Sequence, residues 1–346
     1  MSSLVLQTSF LGDIVLTTPL IAELANRGPV DVITTPAGST ILRNNPSIRN
    51  IIVYDRRRED RGMRGFARTV ARIRRTGLAG GFYDTAYMAQ GSIRSALLVA
   101  ATGVKQRIGF NTSEGHRLYT DRIEYRADRH HAERLWWLSV SECADPPSQW
   151  QITPHVYPSA DDVREAQTLL REKLLDYSRP VVALAPGSAW GTKRWPFYPE
   201  LAVKIAERCN VVVVGGEGDV ELGNVIVAQL PQGCAANAAG RFGILASAAL
   251  IAHAVLLVSN DSAPTHLASA TGTPTVDIFG PTVPDFGFGP LAAGSSVAGI
   301  DGLACRPCDR HGPEKCPLGH WRCMRELSSD DVFGLIMQTL LKRASA

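Results

Sequence analysis

The sequence has no long hydrophobic run, no signal-peptide pattern and no low-complexity segment. No apolar run reaches the roughly 18 residues that a membrane-spanning helix needs, which argues against an integral membrane protein. The amino terminus, MSSLVLQTSF, has neither a basic region nor a small-residue cleavage site, so we expect a cytoplasmic chain. The GxxxxGK[ST] phosphate loop and the full GxGxxG fingerprint are also missing. Any nucleotide site in this chain must therefore be formed by other residues.

The remaining composition is that of a globular protein with two domains. The chain has 346 residues, of which 45% are hydrophobic and 20% charged, and domains of about 150 residues are typical. Two series of short apolar strands alternating with helices predict parallel βαβ units. The proline-rich stretch 144–162 predicts a linker between them. We expect domains at 1–160 and 161–327, followed by a helix at 328–346 that Ser328 or Ser329 caps.

This pattern predicts an α/β fold with two doubly wound domains that face each other across a cleft. Ligand loops in such domains lie at the carboxyl ends of the parallel strands. The first apolar run is followed by TSFLGDIVLTTPL (8–20), which places Asp13 between a strand and a predicted helix at 14–27. An acid there is either a helix cap or a carboxylate at the functional edge of the sheet, and this segment alone leaves both interpretations open.

Charge is distributed unevenly along the chain. Residues 1–160 hold 20 Lys and Arg against 14 Asp and Glu, whereas residues 161–346 hold 16 against 19. The segment 56–75 alone has nine arginines, opposed by Glu59 and Asp60. A solvated helix face is the ordinary interpretation, but the excess of one sign favours an anionic partner. No nucleic-acid module accompanies it, and a phosphorylated lipid or sugar at a membrane surface fits as well.

Three strand-end segments in the second half carry polar groups suited to a nucleotide. In APGSAWGTKRWPFYPELA (185–202), the small residues, hydroxyls and cation suit a phosphate. In VVVVGGEGDVELGN (211–224), an acid could bind a ribose or merely favour a helix start. In the third segment, 255–282, Asp261 is a cap or a ligand, and Ser262 opens a helix whose free N–H groups suit an anion. His266 lies one turn inside that helix, where structural and functional roles are equally supported.

The final motif is a group of cysteines near the carboxyl terminus. The segment CRPCDRHGPEKCPLGHWRC contains Cys305, Cys308, Cys316 and Cys323. CxxC followed by two further cysteines is similar to a zinc knuckle, but the last spacing is not standard. Reduced structural thiols and a structural zinc site both remain open, and we predict no metal or cofactor.

Together these segments resemble glycosyltransferase family 9, the lipopolysaccharide heptosyltransferases. The resemblance runs from residue 4 to about residue 327 and lies in SFLGDIVLTTPL, PGSAWGTKRWP, GGEGDVELGN, SNDSAPTHLASATGTPTVDIFGPT and CRPCDRHGPEKCPLGHWRCM. The second and last blocks look most similar to the heptosyltransferase II members. One departure is the Ala263-Pro264-Thr265-His266 sequence, where the family usually has Gly-Leu-Met-His.

The resemblance implies a GT-B fold and an inverting, metal-independent transfer of heptose from ADP-heptose to a heptosyl-Kdo-lipid A acceptor. The enzyme would act at the inner face of the inner membrane. Asp13 would be the general base, and Lys193 would offset the charge on the leaving ADP. Further donor contacts would come from Ser188, Thr192, Asp219, Glu221, Asp261, Ser262 and His266. Acceptor phosphates or Kdo carboxylates would contact Arg57, Arg58, Arg61 and Arg64.

Three alternatives remain from the sequence. The chain could be another family 9 transferase with a different nucleotide sugar or acceptor, for example one like heptosyltransferase I. A sugar-nucleotide epimerase has a related architecture but no clear use for Asp13. A non-catalytic nucleotide-binding or nucleic-acid-binding protein would use the basic segment and predicts salt-sensitive binding that does not depend on Asp13.

Overall fold

The computed structural model describes residues 1–140, 144–176 and 178–344, and the chain forms two compact units, Met1–Tyr157 and Pro158–Ala346. The boundary lies three residues before the expected one at 160/161. Among the described residues, no helix is both long enough and apolar enough to cross a bilayer.

The first unit is built on a six-stranded parallel sheet in the order β3-β2-β1-β4-β5-β6. Its strands, within the described residues, are β1 Ser3–Gln7, β2 Val30–Thr34, β3 Asn50–Val53, β4 Thr85–Met88, β5 Gln106–Phe110 and β6 Asp121–Ile123. Its helices there are α1 Leu11–Leu16, α2 Thr18–Ala25, α3 Pro36–Leu42, α4 Gly62–Ala79, α5 Ile93–Thr102, α6 His131–Trp136 and α7 Gln149–Ile152. The strands β1, β2 and β4 are buried along their whole length, as expected for a sheet covered on both faces.

The second unit repeats this architecture in the order β12-β11-β10-β7-β8-β9, again with parallel pairing throughout. Its described strands are β7 Val181–Ala185, β8 Asn210–Val213, β9 Ala235–Asn237, β10 Leu256–Asn260, β11 Thr275–Ile278 and β12 Ser296–Ala298. Its described helices are α8 Ala160–Lys173, α9 Tyr198–Ala206, α10 Val220–Val227, α11 Ile244–His253, α12 Ala263–Thr271, α13 Arg322–Arg325 and α14 Ser329–Ala344. The prediction of two parallel α/β units is confirmed.

The structure corrects the predicted linker over 144–162. Ser148 and Gln151 form a capping box at α7, and Ile152 is buried. The backbone N–H of His155 donates to Thr18 Oγ1 at 2.9 Å. This stretch therefore packs on the first unit up to its boundary, because it buries an apolar side chain and satisfies backbone groups there.

Two helices also differ from the sequence expectation. The expected helix at 14–27 is two helices, α1 and α2, because Pro19 in the first turn of α2 has no N–H to continue the hydrogen-bond series. The carboxyl-terminal helix α14 belongs to the second unit. Lys204 on α9 donates to Asp330 at 2.6 Å, and Val332 and Ile336 lie in the core of that unit. Ser328 caps α14, since its hydroxyl accepts from the N–H of Asp331 at 3.2 Å.

Candidate active site

Both sheets have a point where the strand order reverses direction, and polar loops follow the strands there. In the first unit this point lies between β1 and β4, and in the second between β7 and β10. Open α/β sheets bind ligands in the crevice that forms at the carboxyl ends of such strands. Asp13 comes after β1, Ser188 and Lys193 come after β7, and Asp261 comes directly after β10.

Asp13 lies in the first turn of α1, where a carboxylate is favoured by the helix dipole. Its Oδ2 accepts a hydrogen bond from Ser9 Oγ at 2.7 Å, and its side chain is 21% exposed. The carboxylate is therefore fixed by the protein and remains accessible to a substrate. A helix-start role and a chemical role are compatible in this position.

His131 is a neighbour of Asp13 that the sequence did not identify. Its Nε2 lies 3.9 Å from Asp13 Oδ1, and its side chain is 10% exposed. A protonated imidazole at this distance would favour the ionised carboxylate. The two residues are far apart in the sequence, and His131 lies in no motif that could have linked it to Asp13.

In the second unit, Lys193 and Asp261 form a buried ion pair. Lys193 Nζ lies 2.6 Å from Asp261 Oδ2 and 3.3 Å from the Asp261 carbonyl oxygen, and each side chain is 10% exposed. Thr282 Oγ1 donates to the same Oδ2 at 2.6 Å. An ammonium has three N–H donors. Among the described residues, two of them are used by Asp261, so one donor is left for an anionic ligand.

Asn260 ties the loop of Lys193 to the end of β10. Its Nδ2 donates to the Pro186 carbonyl at 2.8 Å, and its Oδ1 accepts from the N–H of Trp195 at 3.2 Å. Asn260 is fully buried. This residue positions both strand-end loops, and its place at the end of a buried apolar strand was the signal that could have identified it.

A second carboxyl group, Asp277 on β11, is buried behind this ion pair. Its side chain has no exposed surface, and its Oδ1 accepts from Thr265 Oγ1 at 3.0 Å. Burial raises the pKa of the Asp277 carboxyl well above its usual range, and the nearby charge of Asp261 adds to this rise. This environment favours the neutral form of the Asp277 carboxyl, which the sequence did not indicate.

The other residues expected to hold the donor are placed around these loops in different ways. Asp219 accepts from the N–H of Gly216 at 2.9 Å, and a Cβ at Gly187 would lie 2.2 Å from its Oδ1. Its carboxylate thus lies against the loop after β7, where only glycine fits. Glu221, by contrast, is exposed at the start of α10. The structure favours Asp219 over Glu221 as the acid near the phosphate loop.

The two hydroxyls expected at the phosphates also differ. Ser188 Oγ is half-buried and accepts from the N–H of Trp190 at 3.3 Å, so its own hydrogen remains available. The hydroxyl of Thr192 is buried and donates to the Pro313 carbonyl. Because a hydroxyl has one hydrogen, Thr192 in this arrangement acts on the loop and not directly on a phosphate.

The start of α12 places Ser262 and His266 differently. Ser262 has extended backbone angles at the helix start and makes no side-chain cap hydrogen bond, so its hydroxyl can contribute to an anion site with the first N–H groups. His266 is 4% exposed and its ring lies 6.3 Å from that of Phe288. Its burial favours a packing role.

The cysteine-rich segment braces the Lys193 loop. Trp321 Nε1 donates to the Thr192 carbonyl at 2.9 Å, and Glu314 accepts from the N–H of Gly191 at 3.3 Å. The rings of Trp190 and His311 stack with centroids 6.2 Å apart. The segment therefore supports the candidate phosphate site from outside the sheet, a role that its spacing in the sequence did not reveal.

The four cysteines of this segment are thiols of different exposure. Cys323 is buried and Cys308 is exposed. Burial, with the charges of the neighbouring thiols, raises the pKa of Cys323 to about 11. In the parts of the chain that the structure describes, no three His, Cys, Asp or Glu side chains form a group that could hold a metal ion.

The arginine-rich segment leads into α4. Its acidic residue Asp60 is buried and pairs with Arg72 at 2.9 Å. Burial of Asp60 opposes ionisation, but this bond and backbone hydrogen bonding outweigh it and lower the pKa. The residues expected to meet the acceptor are exposed and, within the described residues, lie in no ion pair: Arg57, Arg58, Arg61 and Arg64. They form a positively charged surface at the end of β3, which we call the arginine surface.

A sequence model of one protein family matches this chain. It is described as glycosyltransferase family 9 (heptosyltransferase), and it covers residues 70–319. The matched range includes the Lys193 loop, the Asp261 segment and most of the cysteine-rich segment.

Individual proteins match over most of their length. Lipopolysaccharide heptosyltransferase 2 of Escherichia coli K12 is 29% identical over 301 residues, which are 83% of this chain and 84% of that protein. Lipopolysaccharide heptosyltransferase 1 of Pseudomonas aeruginosa PAO1 is 27% identical over 331 residues, 89% and 86% of the two chains. The solved structure of E. coli ADP-heptose lps heptosyltransferase II matches with a TM-score of 0.79 and 25% identity, covering 99% of this chain and all of the other.

Proposed function

This chain belongs to glycosyltransferase family 9, and we propose that it transfers heptose from ADP-heptose to a heptosyl-Kdo-lipid A acceptor of the lipopolysaccharide inner core. The buried pair of Lys193 and Asp261 beside the start of α12 is the observation that carries this proposal. It combines a fixed cation, helix N–H groups and a carboxylate, which suit a diphosphate attached to a sugar. The E. coli relatives are named lipopolysaccharide heptosyltransferase 2 and ADP-heptose lps heptosyltransferase II.

In the proposed reaction, Asp13 takes the proton of the acceptor hydroxyl as that oxygen attacks the anomeric carbon of heptose. The bond from this carbon to the phosphate oxygen breaks, and its electron pair leaves with ADP. Attack from the face opposite the leaving group inverts the configuration. The remaining N–H donor of Lys193 offsets the charge that develops on ADP, and no metal is needed to do so.

The donor sugar and ribose have separate proposed contacts. Both partners of the Asp261 side chain among the described residues act on Oδ2, so Oδ1 can accept from a sugar hydroxyl. Asp219, rather than Glu221, would accept from the ribose. Ser188 and Ser262 would donate to the diphosphate.

On the acceptor side, the arginine surface would bind the phosphates or Kdo carboxylates of the acceptor. Guanidinium groups suit these anions because they donate two parallel hydrogen bonds. The same charge would hold the enzyme at the anionic inner face of the inner membrane. We propose no nucleic-acid partner.

The test is acceptor-dependent release of ADP from ADP-heptose, comparing the wild type with Asp13→Ala. We expect release with heptosyl-Kdo-lipid A, loss of release in the variant, and unchanged ADP binding by calorimetry. Asp121→Ala changes an exposed aspartate of the same unit and is the matched control. Failure of the wild type to bind ADP or to release it would refute the proposal.

A second candidate is transfer of the first heptose, to Kdo-lipid A. The resemblance to the P. aeruginosa heptosyltransferase 1 over 89% of this chain supports it. Running the same assay with Kdo-lipid A decides between the two acceptors, since only the true acceptor should stimulate ADP release.

A further inference from the structure

A partly buried network of hydrogen bonds surrounds Asp13, and it begins at Gln7, the last residue of β1. Gln7 is 1% exposed. Its Oε1 accepts from the N–H of Ser9 at 3.2 Å, and its Nε2 donates to Thr17 Oγ1 at 3.0 Å. Because a backbone N–H can only donate, the first contact fixes which way the amide of Gln7 faces.

Thr17 links this series of hydrogen bonds to the backbone of Asp13. Its hydroxyl donates to the Asp13 carbonyl oxygen at 2.7 Å. Since that hydroxyl has a single hydrogen, it must be the acceptor in its contact with Gln7. The side chain of Gln7 is thus held at both ends and presents a fixed carbonyl oxygen.

Ser9 lies between this carbonyl oxygen and the Asp13 carboxylate. Its Oγ is 2.7 Å from Gln7 Oε1 and 2.7 Å from Asp13 Oδ2. One hydroxyl hydrogen therefore has two acceptors at equal distance. An ionised carboxylate attracts that hydrogen more strongly than an amide oxygen does.

The preference reverses once the carboxyl group carries a proton. A protonated Asp13 can donate to Ser9 Oγ, and the Ser9 hydrogen then has Gln7 Oε1 as its acceptor. Each hydroxyl hydrogen in this network has an acceptor in both states. Moving between them needs only rotation of one hydroxyl and no movement of heavy atoms.

We propose that Ser9 is a positioning residue whose hydroxyl donates to the ionised Asp13 and turns to Gln7 when Asp13 has taken up a proton. The proposal rests on the proposed role of Asp13 as the general base. It assigns Ser9 and Gln7 a part in lowering the reorganisation that accompanies proton transfer, because the dipoles needed in both states are already in place.

The charged groups on the helices that pack against α1 have the following contacts in the structure. The helices packed against α1 are α2, α3 and α6, and α3 has no titratable residue. His131 of α6 faces Oδ1, whereas Ser9 acts on Oδ2. Glu23 of α2 pairs with Arg27. On α6, Glu133 accepts from Trp137 Nε1, and Arg134 donates to the Arg126 carbonyl.

The test measures the titration of the Asp13 carboxyl by carbon-13 NMR on the full chain, assigned with Asp13→Asn. In Ser9→Ala the ionised form loses the hydrogen bond from Ser9, so the titration midpoint should move about one pH unit upward. Ser9→Thr keeps the hydroxyl, so its titration midpoint should equal that of the wild type. Ser39→Ala removes a hydroxyl that donates to the Pro36 carbonyl on α3 and should leave the midpoint unchanged.

Gln7→Met supplies a change of opposite sign. It removes the acceptor that the Ser9 hydrogen needs when Asp13 is protonated, so the midpoint should move to lower pH. General structural damage would not move the titration midpoints of the two variants in opposite directions. An unchanged midpoint in Ser9→Ala, or movement of both variants in the same direction, overturns the proposal.

Activity gives the second readout. In acceptor-dependent ADP release, Ser9→Ala should lower kcat about tenfold at neutral pH, as expected for loss of one charge-assisted hydrogen bond, with the KM for ADP-heptose unchanged. The acidic limb of its pH profile should move upward with the midpoint. If the wild type releases no ADP, the proposed function fails, while the NMR titration still decides the role of Ser9.

Discussion

Lys193 Nζ lies 2.6 Å from Asp261 Oδ2, although the two residues are 68 positions apart and come from the loops after two different strands. Both side chains are almost fully buried, and Thr282 shares the same carboxylate oxygen. Burying two charges is costly unless each satisfies the other. The pair is therefore a fixed part of the candidate donor site and a point of weakness if one partner is lost.

We expect Lys193→Met to destabilise the second unit by about 3–5 kcal/mol, because it leaves the Asp261 carboxylate buried without a cation. Urea unfolding followed by tryptophan fluorescence measures this loss. The double variant Lys193→Met/Asp261→Asn should recover much of the stability that the single variant loses. It should have no transferase activity. Equal stability of the single and double variants would show that the pair is not coupled.

Asp277→Asn should stabilise the protein at neutral and alkaline pH. The folded state favours the protonated form of Asp277, because burial raises its pKa, whereas in the unfolded chain this group ionises near pH 4. Its contribution to stability is fully present below about pH 4 and is lost as pH rises toward the folded pKa, by up to about 1.4 kcal/mol per pH unit. Asparagine removes this dependence and can still accept from Thr265.

The measurement for Asp277 is the free energy of unfolding of wild type and variant from pH 4 to pH 9. The difference between them should grow with pH. Asp285→Asn, at an exposed aspartate of the same unit, should show no such trend. A constant difference across this range would mean that Asp277 is ionised in the folded protein.

Trp321→Phe should loosen the contact between the cysteine-rich segment and the Lys193 loop. It removes the indole N–H that donates to the Thr192 carbonyl at 2.9 Å, which typically costs about 1 kcal/mol. We expect a several-fold rise in the KM for ADP-heptose, measured in the ADP-release assay. Trp150→Phe changes an exposed tryptophan of the first unit and should leave this KM as it is.

Replacing the arginine surface by glutamine at Arg57, Arg58, Arg61 and Arg64 should weaken binding to vesicles that contain anionic lipid, by about tenfold or more. The affinity of the wild type should itself fall as salt rises, because exposed charges are screened. Vesicle flotation at two salt concentrations measures both effects. The KM for the acceptor should rise while ADP binding stays constant.

The control for these arginines is Arg171→Gln/Lys173→Gln, which removes two exposed cations of α8 in the second unit. This variant should bind anionic vesicles like the wild type. A loss as large as that of the arginine-surface variant would mean that net charge, rather than this surface, determines binding.

The sequence by itself determined the two α/β units and the strand-end loops of the candidate site. Apolar alternation identified the strands, and polar residues at strand ends identified Asp13, Lys193 and Asp261, because both signals lie within a few neighbouring residues. Resemblance to the family followed from the same short blocks. The end of the first unit was predicted less accurately, because the packing of 149–157 depends on distant residues such as Thr18. The break between α1 and α2 was also missed, although Pro19 gives a local signal for it.

Only the tertiary structure decided which of these groups meet. It brought His131 to Asp13, Thr282 to Asp261 and Pro313 to Thr192. It also buried the Asp277 carboxyl, which raises its pKa. Such contacts depend on the strand order and on the paths of distant loops, which set distances and burial that no local pattern in the sequence contains.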